Sequence, residues 1–103
     1  MYKIETYIPK ESLQVLRQAL LEVDAGHIGK YRGCLSYYPV MGVWFSEEGS
    51  NPAIGTPGEW SEEQELKIEV NVEDHKRDRA VEAIRRVHPY EEPVINVIQL
   101  FAE

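Results

Sequence analysis

Leu66-Lys67-Ile68-Glu69-Val70-Asn71-Val72-Glu73 is the most regular stretch of the chain, with an aliphatic residue at every even position and a polar one at every odd position. Successive side chains of a strand point to opposite faces, so this alternation predicts a strand with one buried face. The period then changes at once. Asp74 stands where a helix N-cap is expected, Ala80, Val81, Ile84 and Val87 recur at helical spacing, and Pro89 forbids continuation past His88. Val94 to Phe101 supplies another strand, with Val94, Ile98 and Leu100 on one face and Ile95, Val97 and Phe101 on the other. Both of its faces therefore want cover, and in so small a domain the second cover is most simply another subunit.

The same order stands upstream. Tyr2, Ile4, Thr6 and Ile8 alternate with Lys3, Glu5 and Tyr7 up to Pro9, which predicts a strand. From Glu11 to Asp24, Leu13, Leu16, Leu20 and Val23 recur at helical spacing, with Ser12 or Lys10 near the start and Gly26 past the end. Residues Gly33 to Phe45, rich in Tyr, Val, Trp and Phe, predict a hairpin of two short strands around Pro39. An offset of 64 residues lays Lys3-Ile4-Glu5 on Lys67-Ile68-Glu69 and Ala19-Leu20 on Ala83-Ile84, a weak internal repeat of strand, helix, strand. The expected fold is α+β and ferredoxin-like, with two helices on one face of an antiparallel sheet. Ser46 to Trp60, with three glycines and two prolines, reads as a long connecting loop of the kind that carries function.

At 103 residues the chain makes one domain, 1–103, with 43% hydrophobic and 28% charged residues, a composition of folded proteins and not of disordered ones. Its single cysteine, Cys34, excludes an internal disulfide framework. Neither a basic leader nor a long apolar run is visible, so a cytoplasmic protein without a membrane segment is expected. The net charge is −7, and Glu47, Glu48, Glu59, Glu62, Glu63, Glu65 and Glu69 stand against Lys67 alone in the central segment. Such a segment repels nucleic acid and attracts cations. The basic run Lys76, Arg77, Arg79, Arg85 and Arg86 is interleaved with Asp78 and Glu82 and reads as a solvated helix face with ion pairs.

Two constellations carry the chemistry. In Ala25-Gly26-His27-Ile28-Gly29-Lys30-Tyr31-Arg32-Gly33-Cys34, three glycines within eight residues allow positive φ angles and can bring backbone N–H groups to a ligand. In His88-Pro89-Tyr90-Glu91-Glu92-Pro93, two prolines hold an imidazole, a phenol and two carboxylates in one turn. Gly26, His27, Gly29, Tyr31, Tyr90 and Glu91 are accordingly the candidate ligand-binding residues. His27, Cys34, His88, Glu91 and Glu92 are the candidate ligands for zinc or copper, although their spacing matches no zinc signature. The plainer alternatives stay open: His27 and His88 capping helix carbonyls, Cys34 as a small buried hydrophobe in a strand, Trp44, Phe45 and Trp60 as core or subunit interface, and the glutamates from Glu59 to Glu65 as a solvated rim. No Gly-x-Ser-x-Gly, P-loop or His-Glu-x-x-His is present, so no catalytic residue is assigned and a non-enzymatic role is expected.

The run Ala25-Gly26-His27-Ile28-Gly29-x-Tyr31-x-x-Cys34, then Gly42, Gly49-Ser50-Asn51-Pro52-x-Ile54-Gly55-x-x-Gly58-Glu59, and finally His88-Pro89-Tyr90-Glu91-Glu92-Pro93 resembles the small domain inserted in YqfO-type proteins, which belong to the NGG-interacting-factor-like family with a dinuclear metal centre. Free-standing versions of that domain, of about this length and starting Met-Tyr-Lys, also occur in the family. More distantly, the His-Pro-Tyr-Glu turn and the β-α-β order look like the CutA cation-tolerance proteins, and the long loop sits where PII signalling proteins carry their ligand-responsive loop. The resemblance implies a CutA/PII-like fold and a homo-oligomer, a trimer rather than a dimer. It implies no dinuclear site, because the family's metals are held by the core domain that flanks the insertion. Phe45-Ser46 and Trp60-Ser61 depart from the family pattern within the central loop. The expected function is a small oligomeric module that binds a small ligand or a divalent metal in a regulatory or metal-homeostasis role. The alternatives are a protein–protein interaction module with structural histidines and, third, a metal-dependent hydrolase.

Overall fold

The computed structural model describes residues 1–101. Strand β1 (Tyr2–Ile8) leads through a 3-10 turn (Lys10–Ser12) into helix α1 (Leu13–Glu22), followed by β2 (Ser36–Phe45) and β3 (Trp60–Val72). A second 3-10 turn (Asp74–Lys76), helix α2 (Arg77–Val87) and β4 (Ile95–Gln99) complete the order. The four strands lie in the order β2-β3-β1-β4 with every neighbouring pair antiparallel. This is the ferredoxin-like arrangement that the alternating periods predict.

The alternation of β1 and β3 places the core. Ile4 lies opposite Val70, Thr6 opposite Ile68 and Ile8 opposite Leu66, and this face packs on Leu16, Leu20, Ala80 and Ile84 of the helices. Each fully buried Ile or Leu contributes roughly 1.5–3 kcal/mol. The one polar side chain in this layer, Thr6, donates its hydroxyl to the carbonyl of Val94 at 2.8 Å, so its burial leaves nothing unsatisfied. The other face of the sheet is a charge ladder: Lys3 pairs with Glu69 at 3.1 Å and Lys67 with Glu5 at 3.5 Å, which bridges the two carboxylates that the register sets opposite each other. Lys67 also lies 5.9 Å from the Tyr7 ring centre and 5.8 Å from that of Tyr38.

Several boundaries differ from the expectation. The stretch from Gly33 to Phe45 is not a hairpin around Pro39 but contains one strand, β2, which pairs only with β3. Pro39 is tolerated because β2 is an edge strand and a missing N–H there breaks no ladder. The true hairpin is β2 and β3, joined by residues 46–59. β3 begins at Trp60, six residues before its regular alternation, because Val40–Phe45 pair with Trp60–Glu65 after β1 has ended at Ile8. The result is a two-stranded arm of roughly 20 Å, at about 3.4 Å per residue, projecting from the four-stranded body. Helix α1 ends in a Schellman motif, with Ala25 N–H donating to Leu20 O and Asp24 N–H to Leu21 O, both at 3.0 Å. Asp24 takes the left-handed position with φ 57°, two residues before the glycine expected to mark the end. Asp74 does not cap α2; its carboxylate accepts from the N-terminal ammonium.

Candidate functional site

Where the arm leaves the body, its ladder side meets the His88–Pro93 turn, and the loop from Ser46 to Glu59 folds over the junction. They enclose a cleft of about 600 Å³, within the range of small-molecule sites. Trp44, Ile54 and Val94 supply apolar wall, and Glu65 and Tyr90 polar groups. Glu65 is at an odd position of β3, on the ladder face, and is only 7% exposed. The Tyr90 hydroxyl donates to Glu65 Oε2 at 2.6 Å, a short bond to an ionised acceptor. Burial, and then the neighbouring Glu65 carboxylate, pushes the Tyr90 phenol well above its usual range, so it remains a donor at neutral pH. Gly42 makes room: a Cβ there would fall on Glu65 Oε1 and lie 2.8 Å from its Cδ. The side chain of Glu65 thus fills the space that any other residue at 42 would occupy.

The turn is held from behind by His88. Its Nδ1 accepts from the Tyr90 backbone N–H at 3.2 Å, and its Nε2 lies 2.8 Å from the carbonyl oxygen of Tyr7. These partners require the neutral Nε2–H tautomer, and burial pushes its pKa down, in the same sense. With both nitrogens engaged, His88 orients Tyr90, whose ring centre is 4.9 Å away, and it is not free to ligate a metal. Glu91 Oε1 accepts from the backbone N–H of Asn51 at 3.0 Å, which ties the long loop to the turn. Glu92 lines the same cleft.

The glycine-rich constellation lies elsewhere. Gly26, with φ 78°, permits a close approach, since a Cβ there would collide with the Cys34 carbonyl. Its N–H donates to Asn71 O at 3.0 Å, Cys34 N–H donates to Gly26 O at 3.0 Å, and Ile28 and Tyr31 exchange backbone bonds of 2.8 Å around Gly29. These bonds tie the loop to β3 and close it on itself, which engages the amides of Gly26, Ile28, Tyr31 and Cys34, and Tyr31 points to solvent at 75% exposure. Cys34 is half-buried and lies outside the strands. His27 does not cap α1; its Nδ1 donates to Asp24 Oδ2 at 2.8 Å, an oxygen that also accepts from Lys76 Nζ at 2.8 Å. Lys76 first, then His27, hold the Asp24 carboxyl at about 2.

The five candidate metal ligands are therefore not gathered within one chain. Gly26 binds Asn71, which faces Lys3 near the start of β1, whereas His88 binds Tyr7 near its end. Four residues of strand span roughly 13 Å. Among the described residues no three His, Cys, Asp or Glu side chains converge to hold a metal ion. Phe45 and Trp60 pack on each other at 5.4 Å and remain exposed, Trp60 by 73%, which excludes the core and leaves the subunit-interface expectation open. Glu65 is a buried member of the cleft, not part of a solvated rim. Glu65, Gly42 and Asn51 are the site residues that sequence reading missed. The even–odd alternation of β3, carried back past Leu66, would have put Glu65 on the ladder face, but its depth depends on Gly42 across the register.

No family model matches the chain. A "GTP cyclohydrolase 1 type 2 homolog" from Halalkalibacterium halodurans is 37% identical over 103 residues, covering 100% of this chain and 28% of the relative. The chain thus spans about a quarter of the length of the curated relatives it matches. The crystal structure of a Bacillus cereus protein related to NIF3 superposes with a TM-score of 0.82 at 27% identity, over 96% of this chain and 25% of that one. The PII-like protein CutA from Nostoc sp. PCC 7120 has the same fold, with a TM-score of 0.71 at 24% identity over 97% of this chain and 81% of its own. No helix among the described residues is long and apolar enough to cross a membrane. The matches cover 96–100% of this chain, which shares its fold with CutA and with part of the NIF3-related protein and is similar in sequence to about a quarter of the GTP cyclohydrolase 1 type 2 homologs.

Proposed function

We propose that the chain is a non-enzymatic, homo-oligomeric binding module of the cytoplasm, serving a regulatory role, whose small ligand enters the cleft between the β2–β3 arm and the His88–Pro93 turn. The observation that carries this reading is the pairing of a cleft of about 600 Å³ with a carboxylate buried in its wall and held by Tyr90 at 2.6 Å. A buried charge is costly to maintain. A divalent zinc or copper ion is the finer alternative occupant. It would have to recruit donors from a neighbouring copy, since one chain does not converge three. Self-association, as a trimer, is supported by the arm, whose helix-side face exposes Met41, Val43, Phe45 and Trp60, and by the edge strands β2 and β4, whose outer ladders are unpaired. The same face favours a second reading, in which the arm docks another protein and the histidines are structural. The net charge of −7 disfavours nucleic acid as a partner.

Native mass spectrometry of protein purified without a metal-chelating tag, before and after dialysis against chelator, tests the reading. A trimer carrying one small molecule or metal ion per subunit is expected, with the adduct lost in Glu65→Gln. A monomer without adduct, whose melting temperature is unchanged by any candidate ligand, contradicts it. An unliganded oligomer that captures a protein partner through Trp60 supports docking instead.

A further inference from the structure

Resting on the reading of this cleft as a ligand site, we propose that its occupant is an organic ammonium ion with an apolar body. The charge of the lining decides the sign. Glu47, Glu65, Glu91 and Glu92 line the cleft, and among the described residues no Lys, Arg or His does. Carboxylates along low-dielectric walls focus a negative potential into the cleft, which repels phosphates and carboxylates and draws in cations.

The chemistry of Glu65 decides what kind of head group fits. An ionised carboxylate can accept about four hydrogen bonds, and Tyr90 supplies one to Glu65 at 2.6 Å. Glu65 is 7% exposed and forms no ion pair with any of the described residues. A charge so far from water calls for a counter-charge, and an ammonium group brings both the charge and N–H donors. Ser46, 5% exposed, lines the same cleft with a hydroxyl that has no hydrogen-bond partner among the described residues. Buried polar groups are almost always satisfied, and a bound ligand is one way of satisfying this one.

The walls decide the rest of the molecule. Trp44 and Tyr90, with ring centres 6.5 Å apart, line the cleft, and aromatic faces attract a desolvated cation. Ile54 and Val94 extend the lining with aliphatic surface, which rewards an apolar body. A bare divalent cation fits less well, because calcium takes six or more oxygen ligands and zinc three or four protein ligands, whereas no three acidic, His or Cys side chains converge among the described residues.

Isothermal titration calorimetry with three isosteric probes tests the assignment: 2-phenylethylammonium, neutral 2-phenylethanol and anionic 3-phenylpropionate, with zinc chloride as the metal control. The expected result is ammonium binding at least tenfold tighter than the alcohol and no detectable binding of the anion. Glu65→Gln should remove the tenfold preference, and His27→Ala, at the other end of β1, should leave both affinities unchanged. Should Glu65→Gln fail to fold, Glu65→Asp is used, and a drop in the ammonium preference of several-fold is expected. Alcohol bound as tightly as ammonium, anion bound more tightly than either, or zinc bound through Glu65 without ammonium binding would overturn the assignment and leave the cleft a ligand site of another class. Failure of every probe to bind the wild type at millimolar concentration would overturn the cleft reading and this assignment with it.

Discussion

Replacing Gly42 by alanine probes the cleft without touching either of its polar groups. The added Cβ would occupy the position of Glu65 Oε1 and lie 2.8 Å from Cδ. Those atoms are the far end of a flexible side chain, so the backbone need not move. Glu65 swings out, and the cost is the 2.6 Å bond from Tyr90, together with a phenol left buried without a partner. A hydrogen bond to a charged group contributes about 1.5–3 kcal/mol, and alanine in place of glycine within a strand returns about 0.5–1 kcal/mol. The net loss is about 0.5–2.5 kcal/mol. For a chain of this size that lowers Tm by roughly 2–20 °C, read by thermal denaturation at one fixed protein concentration. The same experiment on Tyr90→Phe, alone and with Gly42→Ala, forms a cycle. Each single substitution should cost a similar amount, and the second should add little to the first. A Gly42→Ala protein with wild-type Tm, or costs that simply add, would show that Glu65 does not lie where the mechanism needs it.

Two pH effects and one assembly effect follow from the same geometry. Burial lowers the His88 pKa from 6.5, so the unfolded chain binds the proton more readily. His88's contribution to stability is therefore intact above about pH 6.5 and declines as pH falls below it; urea denaturation between pH 5 and 8 should show that decline in the wild type and a flatter profile in His88→Gln. Asp24, lowered from 3.8 to about 2 by Lys76 and His27, stabilises the fold above pH 3.8 and loses that contribution as pH falls toward 2. NMR titration of its carboxyl carbon should give a midpoint near 2 in the wild type and a higher one in Lys76→Met, and a wild-type midpoint near 3.8 would contradict the cluster. Trp60→Ala, which removes an exposed ring packed on Phe45 at 5.4 Å, should shift the sedimentation profile toward monomer without lowering the helical content.

Much of the fold was readable because each element carries its own period. The alternation in Leu66 to Glu73 and the helical spacing of Ala80, Ile84 and Val87 report burial directly, and the core of Ile4, Ile8, Ile68, Val70 and Val72 is the set those periods select. The arm was not readable in the same way. Val40–Phe45 and Trp60–Glu65 have no helix beneath them, so both faces mix apolar and polar residues and the alternation loses its meaning. The turn from His88 to Pro93 was recognised as a rigid carrier of polar groups, and Tyr90 and Glu91 are indeed at the cleft. The role of His88 as a clamp, and the depth of Glu65, depend on partners at Tyr7 and Gly42 that are distant in sequence. The pairing of His27 with Asp24 is not legible in the sequence, because Asp24 takes a left-handed conformation that sequence rules assign to glycine.

The most direct test of the cleft as the binding site is a ¹⁵N-resolved NMR titration of the protein with 2-phenylethylammonium. The account predicts shifts at the Trp44 indole and at the amides of Ser46, Asn51, Tyr90 and Glu91, which report on the cleft from three separate segments. The amides of Gly26 to Cys34, at the opposite end of β1, should stay unmoved. Shifts confined to that glycine-rich loop, or none at all, would contradict the assignment of the cleft as the binding site.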